Sequence, residues 1–247
     1  MGSWIHSAGT RPLIIAHRGA AAEAPENTMA AFRKAIEQGC DAIELDVHLT
    51  ADGQVVVFHD ETLERTTNRS GPVGSLTWDE LRQADAGAWF GRDFAGERVP
   101  LLSEVLELMP AAVGLNLELK LSYGGRMVAP VARLLREYGR AETTVISSYD
   151  HKLLYRMKQE APEVLISLVY DGRLLNPLRL ADDFGHDVFS FSLHHRMVEE
   201  DDVAPLRAAG KPVIVWTANR EEDIRRLAAC GVSGIITDVP GAARAWL

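Results

Sequence analysis

The imidazoles of His17 and His59, the carboxylates of Glu44 and Asp46 and the guanidinium of Arg18 stand near the start of the chain. They lie in Ala16-His17-Arg18-Gly19, Ile43-Glu44-Leu45-Asp46-Val47-His48 and Val57-Phe58-His59-Asp60. Each sits where an apolar, strand-like run ends, the point at which side chains leave a core and meet a ligand. Imidazole titrates near neutral pH and can give or take a proton, so His17 and His59 are candidates for general acid and base. Arg18 offers a planar fork of donors that matches a phosphate or carboxylate oxygen pair. Glu44 and Asp46, two apart on a strand, point to the same side, and Glu118 and Lys120 repeat that spacing in Asn116-Leu117-Glu118-Leu119-Lys120. Three converging carboxylates without a cysteine make an oxygen-rich site that suits Mg²⁺ or Ca²⁺ better than zinc. For any one of them an ordinary ion pair is the plainer reading; all three at strand ends call for a cation, because buried like charges repel. The pattern points to metal-assisted chemistry on an anionic substrate, with Lys120 adding a point charge beside Arg18.

Other residues carry weaker signals. His48 is in register with Asp46 but is expected past the strand end, while His194 and His195 are undecided. His6, His151 and His186 read as structural. Trp216, ending Val215-Trp216-Thr217-Ala218-Asn219, is either a rim aromatic packed on a helix or a wall for a small polyol. Trp89 and Phe90 either lid the site or pack within their own segment. The chain has no Gly-rich dinucleotide fingerprint and no Walker-type run, so a nucleotide cofactor is not indicated; Gly-x-Ser-x-Gly is also missing.

The elements that must position these groups alternate. Strand-like runs are expected at Leu13 to Ala16, Ala42 to Val47, Gly114 to Leu119, Thr144 to Ser147, Leu165 to Val169, Val188 to Ser192, Pro212 to Trp216 and Gly234 to Thr237. Their near-continuous apolarity suits parallel strands covered on both faces. Helical periods fill the intervals at Asn27 to Gln38, Leu101 to Met109, Gly125 to Tyr138, His151 to Glu160, Glu199 to Ala209 and Glu221 to Cys230. Gly39, Gly139, Gly210 and Gly231 each follow a helix, as C-terminal caps do. Eight such β units predict an α/β fold, a single (β/α)8 TIM barrel over residues 1–247; an open doubly wound sheet also fits the alternation. The long interval after the second strand, at about residues 52–100, reads as an insertion between the second and third barrel strands. It opens with a short strand at Gln54 to Phe58, is expected to be too short and polar for a core of its own, and would lie over the C-terminal mouth.

The 247 residues match one such barrel, and 47% hydrophobic with 25% charged residues describe an ordinary globular protein. A formal net charge of −9 argues against nucleic acid or an anionic membrane surface as a partner. Cys40 and Cys230 lie far apart and read as buried free thiols in a reducing compartment. No run reaches the length of a membrane span, and Met1 to Thr10 lacks the pattern of a secretory signal, so a cytoplasmic location is the expectation.

Taken in order, several segments resemble the glycerophosphodiester phosphodiesterase family across essentially the whole chain. They are His17-Arg18-Gly19, Pro25-Glu26-Asn27-Thr28, Glu44-Leu45-Asp46-Val47, Thr50-Ala51-Asp52-Gly53, His59-Asp60-Glu61-Thr62-Leu63-Glu64-Arg65-Thr66-Thr67, Glu118-Leu119-Lys120 and Trp216-Thr217-Ala218-Asn219. The resemblance implies a barrel that cuts glycerophosphodiesters to sn-glycerol 3-phosphate and an alcohol with the help of a divalent cation, Mg²⁺ or Ca²⁺. It implies His17 and His59 as the acid and base pair, Glu44, Asp46 and Glu118 as metal ligands, and Arg18 and Lys120 as phosphate contacts. Trp216 would border the glycerol, and Glu26 and Asn27 would be rim residues that orient the groups around them. The segment Ser190 to Met197 and the insertion would face the alcohol.

Three other readings compete. A lysophospholipase D-like enzyme acting on lipid-derived diesters would need an apolar access route, and no basic amphipathic helix or anchor supports it. A non-catalytic barrel would bind a small anion through Arg18 and Lys120. A Mg²⁺-dependent enolising enzyme would draw its ligands from later strands. The head-group alcohol, the choice of metal, a cyclic phosphate intermediate, the oligomeric state and the pathway are not legible.

Overall fold

The computed structural model describes residues 11–185 and 187–247; His6, His186 and the segment Met1 to Thr10 lie outside them. Among the described residues nine strands are present: β1 Leu13–His17, β2 Ala42–Leu49, β3 Val55–Val57, β4 Gly114–Leu119, β5 Thr144–Ser148, β6 Leu165–Tyr170, β7 Ser190–His194, β8 Val213–Trp216 and β9 Gly234–Thr237. Eight of them pair in parallel in the order β1, β2, β4, β5, β6, β7, β8, β9, and β9 returns to β1. The β1–β2 pairing closes the ring and removes both sheet edges, so the fold is the (β/α)8 barrel rather than an open sheet. Strand β3 pairs antiparallel with the end of β2 and stands outside the ring.

Helices α1 Met29–Glu37, α2 Trp78–Leu81, α3 Leu102–Leu108, α4 Val128–Glu137, α5 His151–Glu160, α6 Pro177–Phe184, α7 Glu200–Ala208, α8 Glu221–Ala229 and α9 Pro240–Trp246 fill the connections. Helix α1 shows why: the Thr28 side chain accepts from the Ala31 N–H at its start, and Ala31, Phe32 and Ala35 form the buried face. Gly39, Gly139, Gly210 and Gly231 take left-handed φ values just after their helices. Two expected boundaries move. The seventh strand begins at Ser190 and runs to His194, so His194 ends a barrel strand, and β2 continues through His48, which is buried within the strand.

Along β1, Leu13 and Ile15 share a face with His17. They join Ala42, Val145, Phe189, Ile214 and Ile236 in an apolar plug that fills the barrel beneath the polar residues. The opposite strand faces pack against the helices in the main core. The insertion departs from expectation: Val56, Phe58, Leu63, Val73, Leu81, Ala86 and Val99 form a buried cluster of their own. Val56 and Phe58 come from one strand-like run, but Leu63, Val73, Leu81, Ala86 and Val99 are spaced singly, without helix or strand period, so only the folded loop assembles them. Cys40 is buried and Cys230 half-buried; both are free thiols.

Candidate active site

Parallel pairing brings every strand C-terminus to one mouth, and register sets which side chains meet there. His17 of β1 is level with Glu44 of β2, Glu44 with Asn116 of β4, and Asp46 with Glu118. The chain then turns sharply after β1. Arg18 takes φ +54 and Gly19 φ +88, and a Cβ on Gly19 would come within 2.6 Å of the Ala31 backbone, so glycine is required there. The turn aims the Arg18 N–H at Glu44 Oε2, 3.1 Å away, and the Arg18 Nη1 at Glu26 Oε1, 2.8 Å away.

The resulting cavity, of about 160 Å³, is lined by His17, Arg18, Glu44, His59, Glu118, Lys120 and Trp216, among others. Glu44, Asp46 and Glu118 each place an oxygen within 4.8 Å of the other two. Arg18 Nε stands 3.2 Å from Asp46 Oδ2, and Lys120 Nζ 2.7 Å from Glu118 and 3.5 Å from Asp46, so two cations face three carboxylates. The protonation tendencies diverge accordingly. Burial, then the charges of Asp46 and Glu118, pushes Glu44 well above the usual carboxylate range, and burial with Asp46 raises Glu118. Asp46 is only 1% exposed, yet Arg18 and Lys120 outweigh burial and hold its carboxyl low. The residues therefore fit a hard divalent cation: an all-oxygen donor set, close enough to chelate one ion, with charge left over for it to neutralise.

Each imidazole leans on a carboxylate through Nδ1. His17 lies 2.6 Å from Asp238 Oδ1, and Asp238 Oδ2 accepts from Asn219 Nδ2 at 2.5 Å. His59 lies 2.5 Å from Asp60 Oδ1, and Asp60 accepts from Arg65 at 2.6 and 3.0 Å. Arg65 also reaches both oxygens of Glu26 at 2.7 Å, linking His59 through Glu26 to Arg18. Burial and the charges of Arg18 and Lys120 hold His59 below the usual imidazole value, against the opposing pull of Asp46 and Asp60.

His17, Arg18, Glu26, Asn27, Glu44, Asp46, His59, Glu118, Lys120 and Trp216 gather at this mouth, though not always as expected. Asn27 is buried rather than at the rim: in left-handed φ it donates through Nδ2 to Asp46 Oδ2 at 2.9 Å. Trp216 lines the cavity, edge-on to Tyr149 and His194. Trp89 donates to Ala86 O and stacks with Phe90, which contacts Phe94; neither Trp89 nor Phe90 lines the cavity. His195 is buried, and His151 bonds the Val169 carbonyl.

Sequence reasoning missed Asp238, Asn219, Asn116 and Tyr149. Alternation on β9 from Ile236 would have brought Asp238 to the cavity side. Asn116 shares a face with Glu118, is 1% exposed, and neither atom of its amide has a partner within the protein, so it looks for a polar guest. A second acidic group, Glu199, Asp201 and Asp202, lies on the surface and is already gathered by Arg173.

A closed parallel barrel with these groups at its C-terminal mouth defines a barrel enzyme that handles an anion. The sequence profile of the Glycerophosphoryl diester phosphodiesterase family matches residues 17–242. A glycerophosphodiester phosphodiesterase of Caldanaerobacter subterraneus subsp. tengcongensis is 41% identical over 239 residues, spanning 93% of this chain and 95% of its own. A phosphodiesterase of Oleispira antarctica, solved in complex with the product sn-glycerol-3-phosphate, has a TM-score of 0.91 at 30% identity and covers 98% of both chains. A human lysophospholipase D is 28% identical over 94% of this chain and 85% of its own. The chain belongs to the glycerophosphoryl diester phosphodiesterase family, and glycerophosphodiester phosphodiesterase is the activity this membership supports. Among the described residues no helix is long and apolar enough to cross a membrane.

Proposed function

We propose that this protein hydrolyses glycerophosphodiesters to sn-glycerol 3-phosphate and an alcohol, with His59 as general base and His17 as general acid. The observation that carries the reading is that both imidazoles, Glu44, Glu118, Arg18 and Lys120 line one cavity, with Asp46 buried against the two carboxylates. The product bound in the Oleispira antarctica relative supports it. Glu44, Asp46 and Glu118 would hold a divalent cation, Mg²⁺ or Ca²⁺, which when bound supplies Lewis-acid charge to the phosphoryl oxygens.

Arg18 and Lys120 bind the phosphodiester anion and stabilise the negative charge that grows on its oxygens during attack. His59, biased to the neutral form, takes a proton at Nε2 from the attacking hydroxyl, whether of water or of the substrate's own neighbouring carbon. The new O–P bond forms as the bond to the departing oxygen breaks; where the substrate's own hydroxyl attacks, the product is a cyclic phosphate, which water then opens to sn-glycerol 3-phosphate with the two imidazoles exchanging roles. His17 gives its Nε2 proton to that oxygen, its ring oriented through Nδ1 by Asp238, which also accepts from the Asn219 amide. Trp216 walls the glycerol side, and Glu26 and Asn27 hold Arg18 and Asp46 in place.

One observation favours a second reading, a lysophospholipase D-like activity on lipid-derived diesters. Leu174 and Leu175, after β6, and Met197, after β7, are exposed apolar residues on the mouth side, with Leu175 108% exposed. The test is release of sn-glycerol 3-phosphate from a panel of glycerophosphodiesters with Mg²⁺, Ca²⁺ or excess chelator, for wild type, His17→Ala and His59→Ala. Metal-dependent release lost in both variants is expected. Turnover of lysophosphatidylcholine in preference to glycerophosphocholine would instead select the second reading.

A further inference from the structure

His48 follows Glu44 and Asp46 on the same face of β2, it is 0% exposed, and no role above uses it. Both its ring nitrogens are engaged. Nε2 lies 3.1 Å from the main-chain carbonyl of His59, and Nδ1 lies 2.5 Å from the Tyr123 hydroxyl. A carbonyl oxygen only accepts, so Nε2 carries a proton; in the neutral ring Nδ1 then accepts from Tyr123.

The neighbouring main chain is gripped by the same strand, since the Phe58 N–H donates to the Asp46 carbonyl at 3.0 Å. His59 itself follows the three-residue strand β3, and its Nδ1 partner Asp60 is the next residue and travels with it. Tyr123 follows Lys120 by three residues in a left-handed conformation, with its ring edge-on to His48 at 6.0 Å. A Cβ on Gly74 would come within 2.6 Å of that ring, so the insertion leaves space for Tyr123 where a larger residue would displace it.

We infer that His48, held in its Nε2–H tautomer by the Tyr123 hydroxyl, is a positioning residue that clamps the His59 main chain to β2 and so sets the reach of the His59 imidazole. The clamp ties the proton-transfer group to the strand that bears Glu44 and Asp46. It rests on the reading of His59 as the general base, and misplacing such a group by about 1 Å costs on the order of 10²-fold in rate.

Side-chain geometry supplies the test. A glutamine amide reaches the place of Nε2, whereas an asparagine amide reaches only the place of Nδ1. His48→Gln is therefore expected to keep kcat within about ten-fold of wild type, and His48→Asn and His48→Phe to lose about 10²-fold, with KM and cation affinity little changed. His48→Gln no faster than His48→Asn, or a loss carried by KM, would overturn the clamp. Independently of turnover and of how the variants fold, the ¹⁵N shifts of wild-type His48 are expected to show protonation at Nε2 alone; a proton on Nδ1 would overturn it too. The failures are distinguishable, because wild type without activity on any glycerophosphodiester refutes the functional reading rather than the tautomer.

Discussion

The two catalytic candidates look alike at first contact, each imidazole holding a carboxylate through Nδ1 at 2.6 Å for His17 and 2.5 Å for His59. One atom further out they differ. Asp238 is shared with a neutral amide, Asn219, while Asp60 is shared with the Arg65 guanidinium, which is itself tied to Glu26. A carboxylate neutralised by arginine does less to stabilise an imidazolium than one left with its charge, which suits His59 to the general-base role proposed for it. On the proposed reading, the partner of the partner rather than the histidine sets the role.

The largest effects should come from the imidazoles themselves. His17→Ala and His59→Ala are each expected to cut kcat by about 10³-fold or more on a natural diester. A substrate whose leaving group is an acidic phenol needs no general acid, so it should restore turnover in His17→Ala but not in His59→Ala. Equal restoration in both would break the assignment.

Asp238→Asn comes next, with an expected loss of about 10²-fold in kcat, smaller than removal of the ring because Arg18, Lys120 and the carboxylates still hold the phosphodiester. The same phenolic substrate should mask this loss as well.

Arg65→Gln sharpens the comparison with a smaller change, under about ten-fold in kcat near neutral pH. The informative quantity is the pH profile of kcat/KM. A general base works only when neutral, and burial together with Arg18 and Lys120 holds His59 below 6.5, so the wild-type acid limb should lie below that pH. Freeing Asp60 from Arg65 raises the affinity of His59 for its proton, and the acid limb should move to higher pH. A limb that stays in place would show that Arg65 does not tune His59.

The smallest effect belongs to an ion pair at the far end of the barrel. Arg11 bonds both oxygens of Asp41 at 2.9 and 3.1 Å, and Asp41 also caps the Ile14 N–H. Burial works against the Asp41 charge, but these bonds outweigh it and hold the carboxyl below 3.8. A lowered folded-state pKa stabilises the fold above about pH 4 and loses that contribution as pH falls through the folded value. Arg11→Ala should therefore lower the Tm by at most about 3 °C at pH 7, by less near pH 3, and leave kcat unchanged. A change in kcat would mean that the two ends of the barrel are coupled.

Much of this was legible in the chain. The alternation of apolar runs with helical periods specified the strands of the barrel to within two residues, because parallel strands covered on both faces are largely apolar. Period-two spacing put Glu44 with Asp46 and Glu118 with Lys120. His48 was misjudged because strand β2 continues past the point where its apolar run ends, held by its antiparallel pairing with β3. The apolar cluster of the insertion was invisible because, beyond Val56 and Phe58, its members share no period.

The sequence by itself determined the types of group available and the faces they share, since covalent spacing and strand alternation are local properties. Only the tertiary structure decided their partners. Asp238 comes 221 residues after His17, and it reaches that imidazole only because β9 closes against β1. Closure of the barrel, driven by burial of the plug beneath and the helices outside, is a property of all eight strands at once, and it surrounds two similar histidines with different charges.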